Sequence, residues 1–322
     1  MLDHILGGAP VWLWLLFHGI VFALLGADFF LTRDSLPATT IERRSYWLTG
    51  LWVTAALLFT LLVVRVLSHQ YALEYLTGYG IEEALSIDNL FIFLILFRAF
   101  GLAPSQQRRV LFLGVVGAIL VRALMIFAGI RLLDMFAWMN YLFGAVLLYT
   151  AWRLLRESLY PREEGPPRVI AWLMRRLPTS SGSPGAENHF LVRESGRLRM
   201  TPLLTALIAI EATDAVFATD SVPAVLAVTH HPFIVYSSNI FAVMGLRSLY
   251  FTLAAALKRL NKLRYGLVAI LAFVGVKMML ANVATLPIWI SLAVIASVIA
   301  VTGAWSLLTE PAQAPEKPTR NR

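Results

Sequence analysis

Residues 78–91 read Gly78-Tyr79-Gly80-Ile81-Glu82-Glu83-Ala84-Leu85-Ser86-Ile87-Asp88-Asn89-Leu90-Phe91. A second stretch reads Ile210-Glu211-Ala212-Thr213-Asp214-Ala215-Val216-Phe217-Ala218-Thr219-Asp220-Ser221-Val222-Pro223-Ala224. Each lies inside an apolar run long enough to cross a bilayer, which takes ~20 residues. A carboxylate at the centre of such a helix costs ~2.5–3.5 kcal/mol on insertion. Several in one helix need a counter-charge, a water-filled cavity or a bound cation. Polar contacts that only glue helices together are worth ~0.6 kcal/mol each in a membrane, too little to justify so many acids. These two stretches make the fold a membrane fold and put its chemistry inside the bilayer.

The rest of the chain agrees. Of 322 residues, 58% are hydrophobic and 14% charged, whereas a soluble domain carries about 25% charged residues. Apolar runs occur at 9–31, 46–65, 71–97, 109–130, 135–152, 202–229, 233–256, 265–281 and 286–308. They predict an all-α polytopic membrane protein of about nine transmembrane helices in a single domain, residues 1–310. No basic cluster precedes the first run, so it reads as a span rather than a cleavable signal. Residues 156–199 read as a basic cytoplasmic loop, because Pro161, Pro166, Pro167, Pro178, Pro184 and the Ser180–Ser183 stretch break regular structure. Within that flexible linker, residues 169–177 suit one short amphipathic helix. Residues 311–322 read as a disordered cytoplasmic tail.

The formal net charge is +8, but the basic residues lie in loops between apolar runs rather than on one face, which argues against nucleic acid as a partner. With the N-terminus outside, 22 Lys and Arg fall on the cytoplasmic side and two, Arg65 and Arg131, outside. Bias of that size sets orientation, N-terminus out and C-terminus in. The expected partner is the lipid bilayer. The arginines of 156–199 suit anionic headgroups or membrane-protein partners. The chain has no cysteine, which excludes disulfides, thiolate metal sites and thiol redox chemistry within it.

The two acidic stretches share a frame. A shift of 132 residues places Glu82 on Asp214, Asp88 on Asp220 and Asn89 on Ser221. Later residues follow the plan: Arg122 of the fourth span corresponds to Arg247 of the seventh, and Tyr141 and Arg153 of the fifth to Tyr265 and Lys277 of the eighth. The third span runs inward and the sixth outward. The expected architecture is therefore an inverted three-plus-three helix repeat, spans 3–5 and 6–8, as in secondary transporters. In an ideal helix Asp88 and Asp220 lie ~120° from the faces of Glu82 and Asp214. A break at Pro223, and loosening at Gly78 and Gly80, would turn carboxylates and bare carbonyls to one point. The product would be an all-oxygen cage, which suits a hard divalent cation: Mg²⁺, Mn²⁺ or Ca²⁺.

Other polar residues in the spans have plainer readings. His18 reads as a satisfied core histidine, His230 and His231 as solvated turn residues, and Lys277 as snorkelling to the outer interface. Arg122 and Arg247 read as counter-ions to the carboxylates, or as positive elements that drive a cation's release.

The motifs resemble the TerC family of bacterial membrane proteins. The likeness rests on Glu83-Ala84-Leu85-Ser86-Ile87-Asp88-Asn89 and on Glu211, Asp214, Phe217, Ala218, Asp220, Ser221, Pro223 and Ala224 in their spacing. It continues through Gly245-Leu246-Arg247 and Gly275-Val276-Lys277-Met278 and covers most of residues 10–308. The family is linked to manganese export, relief of manganese toxicity and, by its name, tellurite resistance; some members are described as redox modulators. The resemblance implies a multi-pass protein of the bacterial inner membrane that exports Mn²⁺ for metal homeostasis.

In the exporter reading, Asp88 and Asp220 are principal metal ligands, Glu83, Glu211 and Asp214 further ligands or proton carriers, and Asn89 and Ser221 complete the shell. Glu82, Ser86, Arg122, Arg247 and Lys277 support the site. No catalytic residue and no tightly bound cofactor is expected, and the chain does not read as an enzyme. Two readings compete: a membrane scaffold or stress-resistance protein acting through its 156–199 loop, and a LysE-like amino-acid exporter. An intramembrane hydrolase built on paired aspartates has no motif behind it.

Overall fold

Each apolar run is helical in a computed structural model of the chain, which describes residues 5–32, 38–160, 189–194, 197–253, 263–281 and 286–309. Among these residues the helices are α1 (Val11–Thr32), α2 (Ala38–Val66), α3 (His69–Ala99), α4 (Pro104–Met135), α5 (Met139–Leu159), α6 (Pro202–Leu226), α7 (Pro232–Leu253), α8 (Leu263–Met279) and α9 (Ile288–Leu308). Five of them, α1, α2, α4, α6 and α9, are long and apolar enough to cross a membrane. Acids strung along α3, at Glu74, Glu82, Glu83 and Asp88, dilute its hydropathy, and α8 has only 17 residues.

Several helices outrun their apolar runs because polar residues close their ends. Ser68 caps α3, its hydroxyl accepting from the Tyr71 amide at 3.2 Å. Thr201 caps α6 in the same way, with Pro202 preset in the first turn. α4 starts at Pro104, and the Ala103 amide donates to Gln106 Oε1 at 2.8 Å. Gly101, at φ +63°, turns the chain between α3 and α4.

α7 is the hub. Residues 233–246 are buried almost without interruption, as expected of a helix apolar all round. It packs against α3, α2 and α4, while α1 lies at the edge on α2 and α7. α3 on α7 and α4 on α6 make equally extensive interfaces, and α5 on α8 makes the largest of all. Glycines allow that last approach. A Cβ on Gly144 would stand 2.9 Å from the Gly275 carbonyl, and one on Gly275 would stand 3.1 Å from the Gly144 carbonyl. α9 covers α3 and α8.

Three features depart from the sequence reading. α6 does not break at Pro223; the proline falls in its last turn, and the helix runs on to Leu226. α3 is likewise continuous through Gly78 and Gly80. Gly78 is needed for close packing instead, since a Cβ there would meet Ser238 Oγ at 2.9 Å and Val225 at 3.1 Å. Third, the basic loop is not all linker: Leu191–Glu194 (β3) pairs antiparallel with Arg197–Met200 (β4), Glu194 opposite Arg197. Residues 169–177, where the amphipathic helix was expected, and 311–322 lie outside the described residues.

A second small hairpin, β1 (Ile5–Leu6) with β2 (Ala9–Pro10), precedes α1. Its turn residues Gly7 and Gly8 have φ +56° and +83°. His231, expected to be solvated, packs here. Its Nε2 lies 3.1 Å from the Gly8 carbonyl, and its ring lies 4.4 Å from that of Tyr71.

Candidate functional site

Arg122 sits near the middle of α4 with no solvent exposure. A guanidinium so placed must use its fixed fork of donors on acceptors from neighbouring helices. Nε donates to Asp214 Oδ2 at 3.1 Å and Nη2 to Asp214 Oδ1 at 3.0 Å, a two-pronged pair across α4 and α6. Nη1 donates to Glu82 Oε1 on α3 and, at 3.1 Å, to Asn239 Oδ1 on α7; Ser221 Oγ is a longer third contact at 3.5 Å. Asn239 Nδ2 donates in turn to Glu82 Oε2 at 3.0 Å. Four helices are thus joined by one arginine, two carboxylates, an amide and a hydroxyl. Two negative groups against one positive leave the cluster with a formal charge of −1 when both acids are ionised.

Of the residues expected at the site, this network unites Glu82, Asp214, Ser221 and Arg122. The sequence did not single out Asn239. Its signal was the run Ser237-Ser238-Asn239 inside an otherwise apolar helix. Glu82 is the member of the Glu82–Glu83 pair that faces Arg122. Glu83, one residue on and ~100° around the helix, turns elsewhere. The Tyr79 hydroxyl lies near its carboxylate, its Oε1 is 3.3 Å from where a Cβ of Gly245 would be, and among the described residues that oxygen has no hydrogen-bond partner. Ser86 and Asn89 are buried on α3, and Ser86 Oγ also lacks a partner among the described residues.

Glu211 lies one helical turn before Asp214 and rests against α4. A Cβ on Gly117 would collide with its carboxylate, and one on Gly114 would stand 3.1 Å from Oε1. These two glycines make the slot the carboxylate occupies. Asp220 is not drawn to Arg122. Because α6 continues through Pro223, its side chain points to α5, where Thr150 donates to Oδ1 at 2.8 Å and Arg153 approaches Oδ2 at 3.7 Å. The side chains of Asp88 and Arg247 lie outside the described residues.

Lys277 stands apart from the cluster. Two residues before the end of α8, its Nζ donates to Ser291 Oγ at 3.0 Å. It lines a cavity of about 440 Å³ with Glu74, Gln70, Leu73 and Trp289. His18 is satisfied as expected, through the Trp14 carbonyl at 2.8 Å and the Tyr236 hydroxyl at 3.1 Å. Among the described residues no three His, Asp or Glu side chains converge into a metal shell. The counter-charge to Glu82 and Asp214 in this arrangement is a guanidinium.

The profile of the Integral membrane protein TerC family matches residues 67–314, which take in α3 to α9 and every residue of the network. The chain belongs to the TerC family. A Salmonella typhi relative, named as a proposed membrane-bound redox modulator, Alx, is 41% identical over 305 residues, covering 92% of this chain and 93% of its own. The protein of the same name in Escherichia coli K12 is 40% identical over 304 residues, covering 92% and 94%. An uncharacterised membrane protein of Myxococcus xanthus is 39% identical over 298 residues, covering 92% of each. No solved structure matches the chain. Membership in TerC makes this a multi-pass integral membrane protein and accords with the motifs on α3 and α6.

Proposed function

We propose that this TerC protein exports a divalent cation, Mn²⁺ in the first instance, from the cytoplasm across the bacterial inner membrane. The observation that carries the reading is that Glu82 and Asp214, equivalent positions of the two acidic stretches, meet at one buried arginine. Acids paired by the 132-residue frame come together as two inverted units would bring them. The matching extents of the α3–α7 and α4–α6 interfaces support the same two-fold relation, because it exchanges one pair for the other. Glu83, Glu211 and Asp220 add carboxylates beyond the Arg122 network, so among the described residues the acids outnumber the arginines at the centre of the bundle. Asp88 and Asp220 are the principal ligands in this reading, with Glu83, Glu211, Asp214, Asn89 and Ser221 around them. Oxygen donors select a hard cation, and alternate exposure of the site to the two sides would move it. Nine spans, the N-terminus outside and the C-terminus inside, belong to the same proposal.

Amino-acid export is the second reading. One observation favours it: Glu74 and Lys277 face the same cavity without forming an ion pair among the described residues, an arrangement that complements a zwitterion. A redox role through the protein's own thiols has no chemistry to draw on, since the chain lacks cysteine.

The test is total cellular manganese under Mn²⁺ stress in a host without its own exporters. The host would express the wild type, Asp88→Ala or Asp220→Ala at matched membrane levels. Lower manganese with the wild type and not with either variant supports the proposal. No change with the wild type removes manganese export and brings amino-acid efflux assays forward.

A further inference from the structure

Buried polar atoms in folded proteins almost always find a partner, so the exceptions mark places where something is missing or something moves. Among the described residues five such atoms lack one: Trp52 Nε1, Tyr75 OH, Glu83 Oε1, Ser86 Oγ and His231 Nδ1. Four of the five belong to α2 and α3. Tyr75, Glu83 and Ser86, with Tyr79 between them, fall within a ~80° arc of α3 at 100° per residue. They extend over 11 residues, or ~16 Å at 1.5 Å per residue, about half of the ~30 Å hydrocarbon. Trp52 belongs with them. Phe59 of α2 packs on Tyr75 of α3 at 5.7 Å between ring centroids, and the two helices are joined by a two-residue link. Two turns back from Phe59 is Trp52, and two turns on from Tyr75 are Glu82 and Glu83. The third wall is α7, whose Gly245 faces the Glu83 carboxylate.

One end of this seam is closed by rings. Phe59 stands 5.6 Å from Phe17, 6.1 Å from Phe233 and 5.2 Å from Phe241, and none of these four side chains is more than 3% exposed. The rings lie toward the α2–α3 link, the end that the charge distribution assigns to the outside. A row of hydroxyls, an indole N–H and a free carboxylate oxygen below an apolar plug is poorly designed for a permanently dry interface. It suits a surface that water reaches when the plug parts. We propose that the seam between α2, α3 and α7 is the outward water passage to Glu83, lined by Trp52, Tyr75, Tyr79 and Ser86 and closed by the Phe17–Phe59–Phe233–Phe241 cluster. The proposal rests on the exporter reading and names the route by which its hydrated cation leaves. Neutral donors and acceptors line the route, so they replace hydration water without trapping the ion, and Glu83 is the first charge an ion leaves behind.

The absence of native cysteine gives a background-free test. Ser86→Cys, close to isosteric, is the reporter; Leu57→Cys and Leu61→Cys, whose parent side chains are 50% and 62% exposed toward lipid, are controls. Right-side-out vesicles are treated with a membrane-impermeant thiosulfonate, with and without Phe59→Ala in the same chain. A thiol in hydrocarbon stays protonated and out of reach of a polar reagent, whereas one in water reacts as thiolate. The expected result is labelling of Ser86→Cys at least tenfold faster than the controls, and several-fold faster again with Phe59→Ala. Labelling as slow as the controls in both backgrounds overturns the passage. Labelling only in inverted vesicles, where the same reagent meets the cytoplasmic face, overturns its outward direction, and labelling indifferent to Phe59→Ala overturns the ring plug. None of these readouts needs manganese or flux. Labelling without manganese efflux leaves the passage and removes the exporter reading, and efflux without labelling does the reverse.

Discussion

Two polar regions lie side by side along α3 and differ in how completely they are satisfied. In the Arg122 network every polar side-chain atom of Arg122, Glu82, Asp214, Asn239 and Ser221 has a partner. One face away, Tyr75, Glu83 and Ser86 each leave a buried atom unpaired among the described residues. The comparison teaches which part holds and which part moves. A saturated network of opposite charges fixes four helices in one arrangement, because breaking any contact strands a charge in low dielectric. An unsaturated row has little to lose by opening and gains hydration when it does.

The largest expected effect comes from removing the centre of the saturated region. Arg122→Leu leaves Glu82 and Asp214 as uncompensated charges and should cost about 3–5 kcal/mol, read as lost yield and a lowered Tm in detergent. Arg122→Lys should not restore it, since an ammonium cannot make the two-pronged contact with Asp214. A wild-type Tm for Arg122→Leu would dissolve the distinction between the regions.

Next, the same change at neighbouring residues separates them directly. Glu82→Gln loses a charge-assisted bond to Arg122 and should cost about 1.5–3 kcal/mol. Glu83→Gln gives up no ion pair and should cost less than about 1 kcal/mol, while manganese efflux falls. Equal destabilisation in thermal melts would show that Glu83 is as structural as Glu82.

A smaller effect is expected in the α4 slot. Gly117→Ala drives a methyl into the Glu211 carboxylate, and overpacking costs about 1–3 kcal/mol. The gain in helix propensity, about 1 kcal/mol, offsets part of that. Gly19→Ala, with nothing within 4 Å of its Cβ, keeps only the gain. Gly117→Ala should therefore melt at a lower temperature than Gly19→Ala.

The smallest effect lies outside the spans. Burial lowers the His231 imidazole below the ordinary histidine value, against the opposing pull of the Gly8 carbonyl and Glu74. The unfolded chain therefore takes up the proton at a higher pH than the folded one. The stability contributed by the neutral ring is fully present above about pH 6.5. It falls as the pH drops through that value and levels off below the folded-state value. His231→Gln should flatten the Tm-against-pH slope between pH 7 and 5.

Much of this was legible because membranes write simple rules into sequence. Long apolar runs mark the helices, since a backbone in lipid must satisfy itself, and acids inside two of those runs mark the helices that meet at Arg122. Glu82 and Asp214 were aligned by a shift in residue number before any contact was known. Arg122 stood out as a charge no lipid would accept. What failed was the step from residue to direction. Pro223 invites a break, but so near the end of α6 it has only one turn left to disturb, and the continuous helix carries Asp220 to Thr150 of α5 instead. The β3–β4 hairpin was hidden by the prolines before it, although Ser195-Gly196 between Glu194 and Arg197 is a turn signal.

A multi-pass helical membrane protein, the two helices that carry acids and the 132-residue shift that aligns them are legible in the sequence. Those follow from composition and spacing along one chain. Packing decides that Glu82 rather than Glu83 meets Arg122, that Asn239 closes the network, that Glu211 sits in a glycine slot of α4, and that three polar groups of α3 go unpaired among the described residues. Each of these depends on which neighbour stands opposite a given face, a relation between helices up to 157 residues apart. No local propensity encodes it, because packing among four helices sets it.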